Sequence, residues 1–545
     1  MLRESGPLID ERKLGKFFVH VNEVFRRSNI AEPLTRVMLF TAFLVGCKTE
    51  DFRDTVASAL DSKKTAAGLA DALTSAVRDL LKKDAERHGD ERGFQKDLDQ
   101  FYDIIKSELE IANNRAALES VIRECIPQFC VKEKFSVHDF LDGLDESAFK
   151  IVDVYEVFHT YSPSNDLGQY FTPRQMVRAM IRVIEQLRGR RLSVDDIAYD
   201  PACGVGGFLV GVLERVGESK FGAEREAIKL AMGRNLLGCE PAAKVAHIAR
   251  VNLWMHGDGT SGIYQGEANK GSLERLYTTS YAAAPTKSKP GEVGLDTDLG
   301  AALPAKRLHP LQPVLKHNCN GRRPTIALLN PPFPEDKKAY QSFEFIEHAL
   351  RNLADDGWLA AIVPPAPIIS DDKANSAFRE RVLRYAQLEA VFSLPVDLFH
   401  PGASVNTYVM VIRKTTSGHQ LKNAVLFARC PTDGFEMSKA VKRRLAPSTA
   451  DEKVARNWDD ELMVGGEVAE LLNTWIPAHQ ADQVRVGQFA ISKKLTEADK
   501  TSGADWAPER FLEADWDEAK ILRLANRISA ELQSFEIMRE VGGKW

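Results

Sequence analysis

The sequence is first informative for what it lacks. No apolar run approaches the roughly 18–20 residues that a membrane-spanning helix needs, and the longest are strand-sized. The opening MLRESGPLIDERK lacks the apolar centre of a secretory leader. Cysteine is scarce, at 7 in 545 residues, and an odd number spread over so long a chain is a poor disulfide framework. These absences set the expectation of a cytoplasmic protein without a membrane segment. Charge of one sign is lacking too. Against 77 Asp and Glu stand 72 Lys and Arg, a net charge of −5, so nothing global marks a nucleic-acid binder. What is there is an ordinary globular composition, 44% hydrophobic and 27% charged, in a chain long enough for two to four domains.

The first 165 residues read as a helical N-terminal domain. Apolar residues recur at helical spacing through Phe17, Val21, Val24 and Phe25, through 37–45, and through 69–81. The charged stretch 82–99 reads as a solvated connector. From Ile197 the texture changes to short apolar runs alternating with helical stretches. IAYD (197–200), NLLGCE (235–240), TIALLN (325–330), GWLAAIVP (357–364) and LEAVFSL (388–394) are predicted strands. Such alternation predicts a doubly wound, mostly parallel α/β sheet over residues 166–420. VNTYVMVIR (405–413) is expected as a late, antiparallel strand. Within this domain, residues 270–323 show no sustained period and read as a long loop. They include Lys287, Lys289, Lys306, Arg307, Arg322 and Arg323, and carry a net charge of +5. Residues 421–545 form a mixed C-terminal region. In it Ile521, Leu524, Ala525, Ile528 and Leu532 fall on one face of an amphipathic helix.

Two segments carry chemistry. Asp200-Pro201-Ala202-Cys203-Gly204-Val205-Gly206-Gly207 follows the first strand. Small residues there let backbone approach a ligand, and the next helix offers unpaired N–H groups. The turn lacks the Lys-Ser/Thr ending of a P-loop, which disfavours a nucleoside triphosphate. The next strand ends in Glu240, an acid able to hold two ribose hydroxyls. Asn330-Pro331-Pro332-Phe333 follows the strand TIALL. Its prolines fix the backbone and its carbonyls accept hydrogen bonds, while Phe333 offers a flat apolar face. That set suits a planar ring with an exocyclic amine. Cys203 reads as a small buried residue, and Cys125 and Cys130 as core cysteines without a second zinc-ligand pair. His256-Gly257 reads as a helix stop.

Together DPACGVGGF and the later NPPF resemble the amino-group DNA methyltransferases that use S-adenosylmethionine. Upstream, Gln169-Tyr170-Phe171-Thr172-Pro173-Arg174 is similar to the QYFTPR segment that closes over the methionine end of the cofactor. With the motif order and the helical first domain, the chain most resembles the methylation subunit of type I restriction–modification systems. The resemblance implies that the segment from Asp200 to Gly207, except Cys203, lines the methionine moiety. It also implies that Glu240 holds the ribose and Glu267 the adenine amine, although Asp is commoner at that last position. Asn330 and the Pro331 carbonyl would grip the N6 amine of an adenine flipped out of double-stranded DNA, with Pro332 fixing the backbone and Phe333 stacking on the ring. Implied partners are a specificity subunit docking through 515–545, a second methylation subunit and a restriction subunit. No metal is implied. Methylation of RNA adenine or of a protein glutamine, and an inactive methyltransferase-like scaffold, are the alternatives.

Overall fold

The structure is a computed structural model. It describes residues 9, 11–61, 68–88, 94–146, 154, 158, 171–218, 222–257, 262–265, 319, 321–333, 341–399, 405–438, 443–445, 466–482, 485–486 and 489–512.

Seven helices come first: α1 (Glu11–Arg27), α2 (Pro33–Gly46), α3 (Glu50–Asp61), α4 (Leu69–His88), α5 (Phe94–Glu110), α6 (Ala112–Glu133) and α7 (Val137–Glu146). Helix α1 buries Leu14, Phe17, Phe18, Val21, Val24 and Phe25, one apolar stripe at helical spacing. Helix α2 starts on Pro33 and is buried at every position from Thr35 to Gly46, so it is the axis about which the others pack. Phe17, Phe129 and Phe140 meet with ring centroids 4.8–5.4 Å apart, within the range of favourable aromatic pairs. The charged stretch 82–99 is not simply a connector. Helix α4 runs on to His88 and α5 begins at Phe94. Lys, Glu, Arg and Ala are good helix formers, so loss of the apolar stripe did not mark the end of the helix.

The strands are β1 (Ala198–Asp200), β2 (Leu236–Glu240), β3 (Ile263–Gln265), β4 (Ile326–Leu329), β5 (Trp358–Val363), β6 (Ala386–Ser393), β7 (Tyr408–Lys414), β8 (Ala424–Arg429), β9 (Glu436–Ser438), β10 (Arg443–Leu445), β11 (Arg485–Val486) and β12 (Ala490–Lys494). Ten of them form one sheet in the order β11-β12-β8-β6-β7-β5-β4-β1-β2-β3, and β9 and β10 pair separately. The run β3-β2-β1-β4-β5 is parallel throughout, and β7 is inserted antiparallel between β5 and β6. The expected doubly wound α/β fold and the antiparallel late strand are therefore both present. Strands β1, β2, β4 and β5 are buried at every position, the pattern of a parallel sheet covered on both faces. Trp358, Ala360 and Ile362 of β5 belong to one core cluster and Leu359, Ala361 and Val363 to the other, so the strand alternation divides the interior in two. The sheet runs on past residue 420 through β8, β12 and β11.

The helix Ala243–Met255 joins the two halves of the molecule. Its Ala246, Ala249 and Leu253 pack with one face of the sheet. Its Val245, Ile248, Val251 and Trp254 pack into the core of α1–α7. The helix is buried at every position from Val245 to Trp254, His247, Arg250 and Asn252 included, so it has to be covered all round, and the N-terminal helices supply the second cover.

Candidate active site

Strand order reverses at β1, which has β2 on one side and β4 on the other. In open α/β sheets the crevice beyond the carboxyl ends of such strands is where ligands bind. Asp200 ends β1, Glu240 ends β2, and Asn330 follows β4, so three neighbouring strands deliver the three segments singled out by sequence. Asp200 lies level with Gly238 of β2, two residues short of Glu240.

The turn after β1 is built from backbone contacts. The Ala202 N–H donates to Asp200 Oδ1 at 2.9 Å. The Cys203 N–H donates to the Cys239 carbonyl at 2.9 Å, tying the turn to β2, and the Gly206 N–H donates to the Cys203 carbonyl at 2.8 Å. Gly204 and Gly206 have φ of +52° and +84°, a region that other residues rarely adopt. A Cβ on Gly207 would meet nothing within 4 Å, so the turn faces open space at the start of the helix Gly207–Gly217. Cys203 is buried, and its sulfur would sit 2.9 Å from a Cβ on Gly238, so it is a packing residue against β2. All seven cysteines are buried, and none is in a disulfide.

Asp200 and Glu240 are 2% and 3% exposed. Burial pushes the Asp200 carboxyl up to about 8, with Glu240 adding to the rise and the Ala202 N–H opposing it. Burial likewise raises Glu240 to about 7, against the backbone N–H groups of Ala242 and Gly204. The Ala242 bond, to Glu240 Oε1, is 2.9 Å long. Two carboxyls taken out of water on adjacent strands are poised to receive hydroxyl or cationic groups.

Of the upstream segment, Phe171, Thr172, Pro173 and Arg174 are described, and Gln169, Tyr170 and Glu267 lie outside the described residues. Pro173 caps the helix Arg174–Leu187, its carbonyl accepting from the Met176 and Val177 N–H groups. Phe171 Cε1 stands 3.8 Å from where a Cβ on Gly204 would be, so this segment reaches the glycine turn. A Cβ on Gly211 would come within 2.5 Å of Val177, and the glycine lets the helices behind the two segments approach closely.

At the end of β4, Asn330 and Phe333 are half-buried, Pro331 is buried and Pro332 is exposed. The Ser342 hydroxyl donates to the Pro332 carbonyl at 3.4 Å. The helix Ser342–Asn352 behind it is fixed by a capping box between Gln341 and Glu344. The tetrapeptide is thus held by a strand before it and a helix after it. No cluster of three or more metal-ligating side chains occurs among the described residues.

One residue of the site escaped the sequence reading. Asn252, on the helix Ala243–Met255, donates through Nδ2 to the Val205 carbonyl at 2.9 Å. Nothing in the sequence marks it: it is one of four polar residues on that helix, with Lys244, His247 and Arg250.

The sequence model of the N-6 DNA methylase family matches residues 148–274 and 325–475, more than half of the chain. The type II restriction enzyme and methyltransferase RM.BcgI of Heyndrickxia coagulans is 27% identical over 282 residues, 51% of this chain and 36% of that protein. The chain thus spans about a third of the length of that relative. A solved structure described as the basis of complex assembly and conformational transition of the type I R-M system superposes with a TM-score of 0.51 at 17% identity, over 98% of both chains. The type I restriction-modification methyltransferase subunit of Streptococcus thermophilus gives 0.47 at 16% identity, over 91% of this chain and 99% of that one.

Proposed function

This chain belongs to the N-6 DNA methylase family, and from that premise we propose that it moves a methyl group from S-adenosylmethionine to the N6 amine of a flipped-out adenine in DNA. One observation carries the proposal: the ends of β2, β1 and β4 bring Glu240, the glycine turn and Asn330 side by side at the point where strand order reverses. The residues present fit the cofactor. The open space beyond Gly207 leaves room at the glycine turn, and the buried carboxyl of Glu240 matches a ribose diol. In this assignment Asp200, Pro201, Ala202, Gly204, Val205, Gly206 and Gly207 line the methionine end, with the segment Gln169 to Arg174 over it and Glu267 at the adenine. S-Adenosylmethionine, when bound, supplies an electrophilic methyl on a sulfonium.

The chain's own contribution is positioning. The side-chain oxygen of Asn330 and the carbonyl of Pro331 accept the two N–H bonds of the target amine. That fixes its lone pair in one direction and enriches the nitrogen in electron density. The side chain of Phe333 stacks on the adenine once it has left the duplex, repaying part of the unstacking. No side chain has to act as a general base before attack, because the amine attacks as a neutral group.

The proposal extends to assembly. The chain acts as the modification subunit of a restriction–modification complex, with 1–165 as helical domain, a catalytic domain that begins at 166 and takes in the sheet strands beyond 420, and 515–545 as the segment that docks a specificity subunit. A second methylation subunit and a restriction subunit complete the complex. The docking helix and residues 270–318 of the basic loop 270–323 lie outside the described residues. The test is transfer of labelled methyl from S-adenosylmethionine to DNA by the purified complex. Incorporation that disappears in Asn330→Ala, with cofactor binding retained, is expected, and incorporation unaffected by that change would overturn the assignment.

A further inference from the structure

The middle peptide of the glycine turn is held from both sides. A trans peptide is flat, with its C=O and N–H pointing in opposite directions. In the Val205–Gly206 peptide the N–H donates to the Cys203 carbonyl at 2.8 Å, and the C=O accepts from Asn252 Nδ2 at 2.9 Å. The first contact lies within the turn. The second comes from outside it, from a side chain that is 0% exposed on a different helix. That helix also backs the turn directly, since a Cβ on Gly206 would lie 3.7 Å from the Ala249 Cβ.

Asn252 is itself held. Its backbone carbonyl accepts from the His256 N–H at 3.2 Å and from His256 Nδ1 at 2.7 Å. The other ring nitrogen of His256 faces Glu214 at 3.5 Å, and Glu214 lies 3.9 Å from Arg178. Arg178 is on the helix that follows Phe171-Thr172-Pro173, Glu214 on the helix that follows the glycine turn, and His256 at the end of the helix that follows Glu240. One polar chain behind the site therefore touches all three elements assigned to the cofactor.

We propose that Asn252 is a positioning residue of the cofactor site, which sets the glycine turn by clamping the Val205 carbonyl. The inference rests on the function proposed above, but makes a separate claim. Buried amides are kept where a fixed acceptor needs a donor; Asn252→Ala removes that donor, and Asn252→Asp preserves the shape and turns the donor into an acceptor once its carboxyl is ionised. Two facing oxygens push the peptide out of its plane of contact, and the turn relaxes.

The test compares Asn252→Asp with Leu253→Ala, its neighbour on the same helix, which packs into the core of the sheet. Affinity for S-adenosylmethionine is measured by calorimetry, the turnover number at saturating cofactor by methyl transfer, and Tm by thermal melting. Asn252→Asp is expected to weaken cofactor binding about tenfold at pH 9, where its carboxyl is ionised, and Asn252→Ala to do so at any pH, the scale of one lost buried hydrogen bond. Its turnover number at saturating cofactor should stay close to that of the unmodified protein. Leu253→Ala is expected to lower Tm and leave the affinity unchanged. If Asn252→Asp does not fold, Asn252→Ala removes the donor without the repulsion and carries the same expectation. Unaltered affinity in the Asn252 variants overturns the inference, as does an equal loss of affinity in Leu253→Ala. An unmodified protein that binds no S-adenosylmethionine overturns the function proposed above, and this inference with it.

Discussion

A carboxyl at the end of a buried strand has given up water before it meets any ligand. Asp200 and Glu240 are in that position, and their raised values of about 8 and about 7 have a direction that can be measured. An acid whose value is higher in the folded than in the unfolded chain binds its proton more tightly when folded. Its stabilising contribution is complete below the ordinary carboxylate range near pH 4 and is lost as pH rises through the folded value. The protein without cofactor should therefore melt lower at pH 8.5 than at pH 6, and Asp200→Asn should flatten that slope. Hydroxyl groups donated by a bound ribose favour the ionised form, so binding near pH 7 should release protons and tighten between pH 6 and pH 8. Calorimetry in two buffers of different ionisation heat reads the protons directly; binding without proton release would contradict the assignment of Glu240. The acids, the glycines and Asn330 were legible in sequence because each chemical unit is contiguous. Asn252 was not, because its contact with Val205 spans 47 residues and an isolated amide has no pattern.

Elements show the same division. Strands β4 and β5 announce themselves as apolar runs between turn residues, whereas β3 has three residues, too few for a period, and is defined by its parallel pairing with β2. Helix α4 runs past its apolar stripe for a related reason: hydrophobic spacing reports which face is covered, not where hydrogen bonding stops. The close approach of the helices Arg174–Leu187 and Gly207–Gly217 depends on Gly211. Val177 is branched at Cβ and stiff, so it cannot turn away from an added methyl. Gly211→Ala should therefore destabilise by about 1–3 kcal/mol, as overpacking does, and a melt unchanged from the parent would mean that the helices separate at no cost. Lys244 offers a contrast. It lies 3.2 Å from both Glu32 and Glu108, but its side chain is 35% exposed, and Lys244→Ala should cost no more than about 1 kcal/mol.

For the whole molecule, the composition suggested separate domains, and the packing joins two of them. Val205 of the glycine turn lies in the same core as α1–α7, along with Val245, Ile248, Val251 and Trp254. The helical region therefore packs against the glycine turn and is not an appendage. Ile248→Ala, at a position 0% exposed, should cost about 2–5 kcal/mol and shift the melting of helices and sheet together. Two transitions, of which only one moved, would show that the halves unfold independently. This continuity was hidden in the sequence, because apolar residues spread around a helix tell that it is covered without telling by what. In the proposed complex, the net charge of −5 fits a catalytic chain that leaves recognition of DNA to a partner. The central claim is tested most directly by nucleoside mass spectrometry of genomic DNA from cells producing the protein with its partners. N6-methyladenine is predicted with the unmodified chain and absent with Asn330→Ala. Equal N6-methyladenine in both, or none in either, would contradict the account.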